Sequence, residues 1–144
     1  LHHDRYPDDL VASVLERTRS VALVGASADP ARPSHGVMAW WIARGAEVHP
    51  VNPGLAGGTI LGRRVAAALA DVPGEIDLVD VFRRADAAGA VVDEALALSP
   101  LPRTVWMQLG VRDDAAAARA EAAGVTVIMD RCPKIEAARL DGAR

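Results

Sequence analysis

Gly25, Ser27, Arg32 and Ser34 follow directly on the apolar run Val21–Val24 in the stretch VALVGASADPARPSHG, and together they carry the chemistry of an anion site. A glycine such as Gly25 needs no Cβ, so the chain can turn sharply there and let backbone N–H groups face an anion. A helix starting near Ser34 would bring its positive end to the same place. The hydroxyls of Ser27 and Ser34 add donors, and the Arg32 guanidinium adds a charged fork suited to phosphate. His35, one residue on, either touches the same anion or faces solvent. A plainer reading needs no ligand, with Gly25 as a strand-to-helix turn and Ser34 as the helix N-cap.

A dinucleotide such as NAD asks for more than one glycine. In the pattern G-x-G-x-x-G the second and third positions fall here on Ser27 and Pro30. The acid expected about 20 residues later, which grips the ribose hydroxyls, is replaced by Asn52-Pro53. A ligand richer in phosphate and without a free ribose diol fits better. NADP is a stronger rival than NAD, because arginines suit a 2′-phosphate.

Other residues carry weaker chemistry. Cys132 precedes Pro133 at an expected helix start, where the helix dipole can lower a thiol pKa. It is either a redox or transferase handle or a small packing residue. Asp77 and Asp80 lie three positions apart, on opposite faces of a strand, and with Asp130 they read as acceptors for nearby loop amides rather than a proton-transfer pair. Trp40 and Trp41 are consecutive on one helix, so one is expected on the sheet and the other toward solvent, where it would mark a partner or homodimer surface.

The elements that position these groups alternate between two periods. Helices are expected at Asp8–Thr18, Ser34–Arg44, Ala85–Leu98 and Asp113–Ala123, with a last one from Cys132-Pro133 toward Leu140. Strands are expected at Ser20–Val24, Glu47–Val51, Ile76–Phe82, Thr104–Gln108 and Thr126–Met129. Between them, a short extended piece is expected around Ile60 and Leu61, and a helical turn or two at Ala66–Ala70. This alternation predicts an α/β fold, a Rossmann-like doubly wound parallel sheet in a single domain spanning residues 1–144. Ligand sites in such sheets lie at the carboxyl ends of the strands, so Gly25, Asn52-Pro53 and Phe82-Arg83 are the informative positions.

Composition narrows the class. The chain has 144 residues, 51% hydrophobic and 24% charged, enough for one packed core. With aromatics at 3%, that core is expected to be mainly aliphatic. A net charge of −3 argues against a general nucleic-acid binder. No apolar run approaches the ~20 residues of a membrane span. Cys132 is the only cysteine, which excludes an internal disulfide or a multi-cysteine zinc site and suits a reducing cytoplasm. His2 and His3 are set aside as a possible tag remnant.

The segments VALVGASADPARPSHGV, EVHPVNPGLAGGTILGRRV, DLVDVFRR, VWMQLGV and VIMDRCPKIEAARL occur in the order and spacing of small stand-alone CoA-binding domain proteins of bacteria. The chain resembles these from about Ser20 to Leu140, and through them the CoA-binding half of the succinyl-CoA synthetase alpha subunit. The resemblance implies coenzyme A as cofactor. Gly25, Ala26 and Ser27 would take the pyrophosphate, and Arg32 and Ser34 would close over phosphates. Asn52, Pro53, Phe82 and Arg83 would flank the adenosine end, with Arg83 toward the 3′-phosphate. A sugar esterified at its 3′-oxygen would be repelled by the acid that grips NAD, which gives Asn52 a chemical reason. The synthetase subunit also bears a phosphorylated histidine in a further domain, whereas the four histidines here all lie in the first half of the chain, at His2, His3, His35 and His49, so no synthetase chemistry transfers. The expectation is non-enzymatic binding of CoA or a short acyl-CoA as carrier or sensor, with an acyl-CoA-using protein or a second copy as partner. The alternatives are an NADP-binding redox module, or a small CoA-dependent transferase or CoA-disulfide redox protein using Cys132.

Overall fold

The computed structural model describes residues 1–142. Its strands are β1 (Ser20–Val24), β2 (Glu47–Val51), β3 (Thr59–Ile60), β4 (Arg63–Arg64), β5 (Leu78–Val81), β6 (Thr104–Met107) and β7 (Thr126–Ile128). Its α-helices are α1 (Asp8–Arg17), α2 (Pro33–Ala43), α3 (Ala85–Leu96), α4 (Asp114–Ala122) and α5 (Pro133–Gly142). Five strands form one sheet in the order β2-β1-β5-β6-β7, with every neighbouring pair parallel. All four residues of β5 and of β6 are buried, as in a sheet covered on both faces. The expected doubly wound fold is therefore observed.

The two faces are built from different side chains. On one, the small residues Ala88 and Ala95 of α3 and Ala116 and Ala120 of α4 pack on Val79, Val81, Val105 and Val127. On the other, α1, α2 and α5 bring Val14, Trp41 and Leu140 against Leu23, Leu78, Trp106 and Ile128. Trp41 and Trp106 are fully buried, while Trp40 is half-buried against Trp41, with the Arg44 guanidinium 5.3 Å above its ring.

Two expectations between β2 and β5 need correction. The extended piece near Ile60 is an antiparallel hairpin of β3 and β4, turned at Leu61 and Gly62, which have φ of 50° and 77°. Ala66–Ala70 does not begin a helix. Ala66 bridges Val51 in parallel, donating its N–H to Pro50 O (3.0 Å) and accepting from Asn52 N–H (2.9 Å), and the helical turn that follows is 3₁₀, at Leu69–Asp71. Pro50 has no N–H to extend that pairing toward Arg64, so the edge of the sheet is closed over one residue and then left.

The amino-terminal segment is tied down as well. The His3 ring nitrogens lie 2.6 Å from the Tyr6 hydroxyl and 2.6 Å from Glu121 Oε1, and the Tyr6 hydroxyl accepts the Met129 N–H at 2.9 Å. His3 therefore packs into the domain. Among the described residues, no helix is long and apolar enough to cross a membrane.

Candidate functional site at the strand ends

β1 sits in mid-sheet, and the chain leaves it for β2 on one side and later for β5 on the other. The ends of β1 and β5 thus flank the point where the strand order reverses, the usual place for a ligand in an open α/β sheet. Gly25 occupies that point with φ +89°, and a Cβ there would lie 2.1 Å from the Phe82 carbonyl oxygen. The approach is close because Phe82 N–H donates to Val24 O at 2.8 Å, carrying the β1–β5 ladder to its last rung.

Two of the amides at this turn are already committed to the sheet. The N–H groups of Gly25 and Ala26 both donate to Val51 O, at 3.0 and 3.3 Å. Those that make no hydrogen bond among the described residues belong to Ser27, Ala28 and Ser34. The loop between is shaped by its own side chains. Ser27 Oγ accepts from Asp29 N–H (3.1 Å), Asp29 Oδ1 from Ala31 N–H (2.9 Å), and Asp29 O from Arg32 N–H (3.0 Å).

The start of α2 also differs from the expectation. Ser34 is not its N-cap; that position is Arg32, without a side-chain cap bond, and Pro33 is the first helical residue. Proline at this place has its φ preset and no N–H left to satisfy, so the helix begins without a capping hydroxyl. Ser34 instead lies buried in the first turn.

Asn52 holds the loop from the other side. Its Nδ2 donates to Ala26 O (2.8 Å) and its Oδ1 accepts from Gly54 N–H (2.8 Å). An aspartate could not make the first bond, so the loop geometry by itself calls for an amide here.

These residues enclose a cleft of about 340 Å³ lined by Gly25, Ala26, Ser27, Arg32, Pro33, Ser34, Asn52, Leu55 and Phe82. The structure thus brings together most of the residues singled out in the sequence. Three stand outside the lining: His35, half-buried on α2; Pro53, exposed at the start of a 3₁₀ turn; and Arg83, exposed one residue past Phe82. Pro33 and Leu55 were missed. The proline after Arg32 was the available signal for the first, while nothing in the pattern marked Leu55, an exposed apolar residue in a turn. Arg32 is the only charged residue of the lining, and among the described residues its guanidinium has no ion pair or hydrogen bond. With no carboxylate in the lining and the α2 start beside it, the cleft favours anions. A cavity of about 550 Å³ lies at the outer edge of β2, near Glu47, His49, Arg63 and Asp71. It contains none of the expected residues and lies away from the switch point, so its greater size does not make it the better candidate for phosphate.

Asp77 and Asp130 accept loop amides as expected, Asp77 from Arg19 and Ser20 and Asp130 from Gly110. Asp80 does not. It is fully buried and accepts from Trp41 Nε1 at 3.1 Å and Gln108 Nε2 at 2.9 Å. Burial pushes its pKa up to about 7, against the lowering effect of these two donors. Cys132 is buried in the cluster that contains Ala26, Ala137 and Leu140, and it does not line the cleft.

A reversal of strand order with a glycine turn, a helix start and an unpaired arginine beside it defines the class: a doubly wound α/β domain with a candidate ligand cleft at its strand ends. The chain belongs to the CoA binding domain family, whose model matches residues 19–138. It is 34% identical over 125 residues to the uncharacterized protein YneT of Bacillus subtilis (strain 168), covering 87% of this chain and 90% of that protein. The solved structure of cell-free ID.343 from Thermus thermophilus matches with a TM-score of 0.87 and 35% identity, over 94% of this chain and 99% of that one. The dinucleotide forming acetyl-coenzyme A synthetase 1 of Ca. Korarchaeum cryptofilum shares the fold, at a TM-score of 0.65 and 20% identity, over 75% of this chain and 25% of its own. Membership of the family supports CoA binding.

Proposed function

We propose that the protein binds coenzyme A or a short acyl-CoA in the cleft at the ends of β1, β2 and β5, without chemistry of its own, as a carrier or sensor. The observation that carries this reading is a cleft lined by Ser27 and Ser34, whose amides make no hydrogen bond among the described residues, and by the unpaired Arg32, with no carboxylate in the lining. CoA supplies a diphosphate and a 3′-phosphomonoester, and such groups reward a helix start with an arginine fork. The serine hydroxyls add donors, and Phe82 and Leu55 offer apolar surface to the adenosine. A cytoplasmic setting, a single domain over the full chain and an acyl-CoA-using partner or second copy belong to the same proposal.

Calorimetric titration with CoA, dephospho-CoA and NAD tests it. CoA is expected to bind most tightly, while tight NAD binding without a response to CoA would overturn the reading. The burial of Cys132 away from the cleft disfavours a thiol-based enzyme, and exposure to oxidised CoA is expected to leave the chain without a mixed disulfide by mass spectrometry.

A further inference from the structure

Asp80 is an expensive residue for its place. A carboxyl group in mid-sheet, with no basic side chain within ion-pair distance among the described residues, loses its hydration for two hydrogen bonds. Those two bonds join three elements. Trp41 belongs to α2, whose first turn lines the cleft, and Gln108 follows directly on β6. Val81 pairs with Met107, so Phe82 and Gln108 stand side by side where β5 and β6 finish. A ligand extending from the cleft across the strand ends would pass Gln108 after Phe82.

The amide of Gln108 has two ends with opposite hydrogen-bonding character. Nε2 faces Asp80, while Oε1 makes no hydrogen bond among the described residues and is not one of the buried side-chain atoms left without a partner, so it reaches solvent. Trp41 can only donate, and it therefore always requires an oxygen from Asp80. An ionised Asp80 also requires a donor from Gln108, which turns Oε1 outward. A protonated Asp80 carries one O–H and needs an acceptor for it. Gln108 supplies that acceptor by turning over, so that Nε2 faces outward instead.

We propose that Asp80 is a positioning residue for ligand binding: its carboxylate holds the Gln108 amide with Oε1 outward, to accept a hydrogen-bond donor of the ligand at the end of β6. This inference rests on the CoA reading, in which the amide N–H groups of the pantetheine arm are such donors. Gaining a proton at Asp80 inverts the amide and sets donor against donor. The titratable side chains on the elements packed on this face include His35 and Arg44 on α2, Glu16 on α1, Tyr6 before it, Cys132 before α5 and Glu136 within it. None of them acts on Asp80, whose environment is set by burial, Gln108 and Trp41 alone.

The test compares CoA titrations of the wild type and Asp80→Asn at pH 8.5 and pH 6. The asparagine must donate to Gln108 while accepting from Trp41, so it fixes the inverted amide at every pH. At pH 8.5 the variant is expected to bind CoA about tenfold more weakly, the cost of one mismatched hydrogen bond. At pH 6 the ratio should approach one, and titration of the ligand's own phosphates cancels in it. An unchanged ratio at the two pH values would overturn the proposal. NMR supplies a second readout that needs neither ligand nor variant. The Trp41 indole N–H and the Gln108 side-chain amide should shift together through a midpoint near 7, and signals flat with pH would overturn the proposal too. If the wild type binds no CoA at either pH, the CoA reading fails, and these signals still decide whether Asp80 sets the amide.

Discussion

At Gly25 the backbone already lies at φ +89°, and an added methyl would meet the Phe82 carbonyl at 2.1 Å. Either feature alone disfavours a side chain, so Gly25→Ala is expected to cost about 3 kcal/mol or more, a fall in Tm of roughly 10 °C by calorimetry. Asn52→Asp removes the donor to Ala26 O and sets a carboxylate against that carbonyl. We expect a loss of roughly 1–3 kcal/mol in denaturant unfolding, with CoA affinity lowered further by the added negative charge. The two arginines are separated by a paired comparison. Arg32→Ala should weaken CoA and dephospho-CoA alike by about tenfold, since a charge-assisted phosphate contact is lost in both. Arg83→Ala should weaken CoA more than dephospho-CoA, and equal losses would remove Arg83 from the 3′-phosphate. The glycine turn and Arg32 were legible from residue type and spacing. The commitment of the Gly25 and Ala26 amides to Val51 was not, because the acceptor comes from a strand more than twenty positions away.

The helix α2 joins the cleft to the sheet, and its polar anchor on β5 is the Trp41 indole. Trp41→Phe keeps the ring packing and leaves one Asp80 oxygen without its donor, which should destabilise the fold by about 1–3 kcal/mol. The deficit should be larger at pH 8 than at pH 5, since the ionised carboxylate needs that donor more than the neutral acid does. Strands β1, β2, β5, β6 and β7 and all five helices follow from periodicity, within one or two residues at most ends. The segment from Asn52 to Leu69 resisted such reading. Its form depends on Pro50 and Asn52, which draw Ala66 to the sheet edge and leave Arg63 and Arg64 to pair with Thr59 and Ile60.

At the scale of the whole molecule, Asp80 couples stability to pH. Its folded-state pKa, about 7, lies above the ordinary 3.8, so the folded chain holds a proton that the unfolded chain has released. This contribution to stability is fully present below about pH 4 and is lost as pH rises through 7. Wild-type Tm should therefore fall over that window more than the Tm of Asp80→Asn, and equal slopes in thermal unfolding would contradict the shift. The same residue shows where sequence reasoning ended. Alternation of apolar strands with helices, the glycine after β1 and Arg32 in the loop that follows were sufficient to read a doubly wound sheet and to mark a candidate anion site at its switch point, because each is a local pattern with a local physical cause. Which amides remain free, why Asn52 is an amide, and why Asp80 lies buried between Trp41 and Gln108 were decided only by tertiary structure. Those answers depend on partners brought together by parallel pairing across the sheet, and no spacing along the chain encodes which hydrogen bonds such neighbours have already claimed.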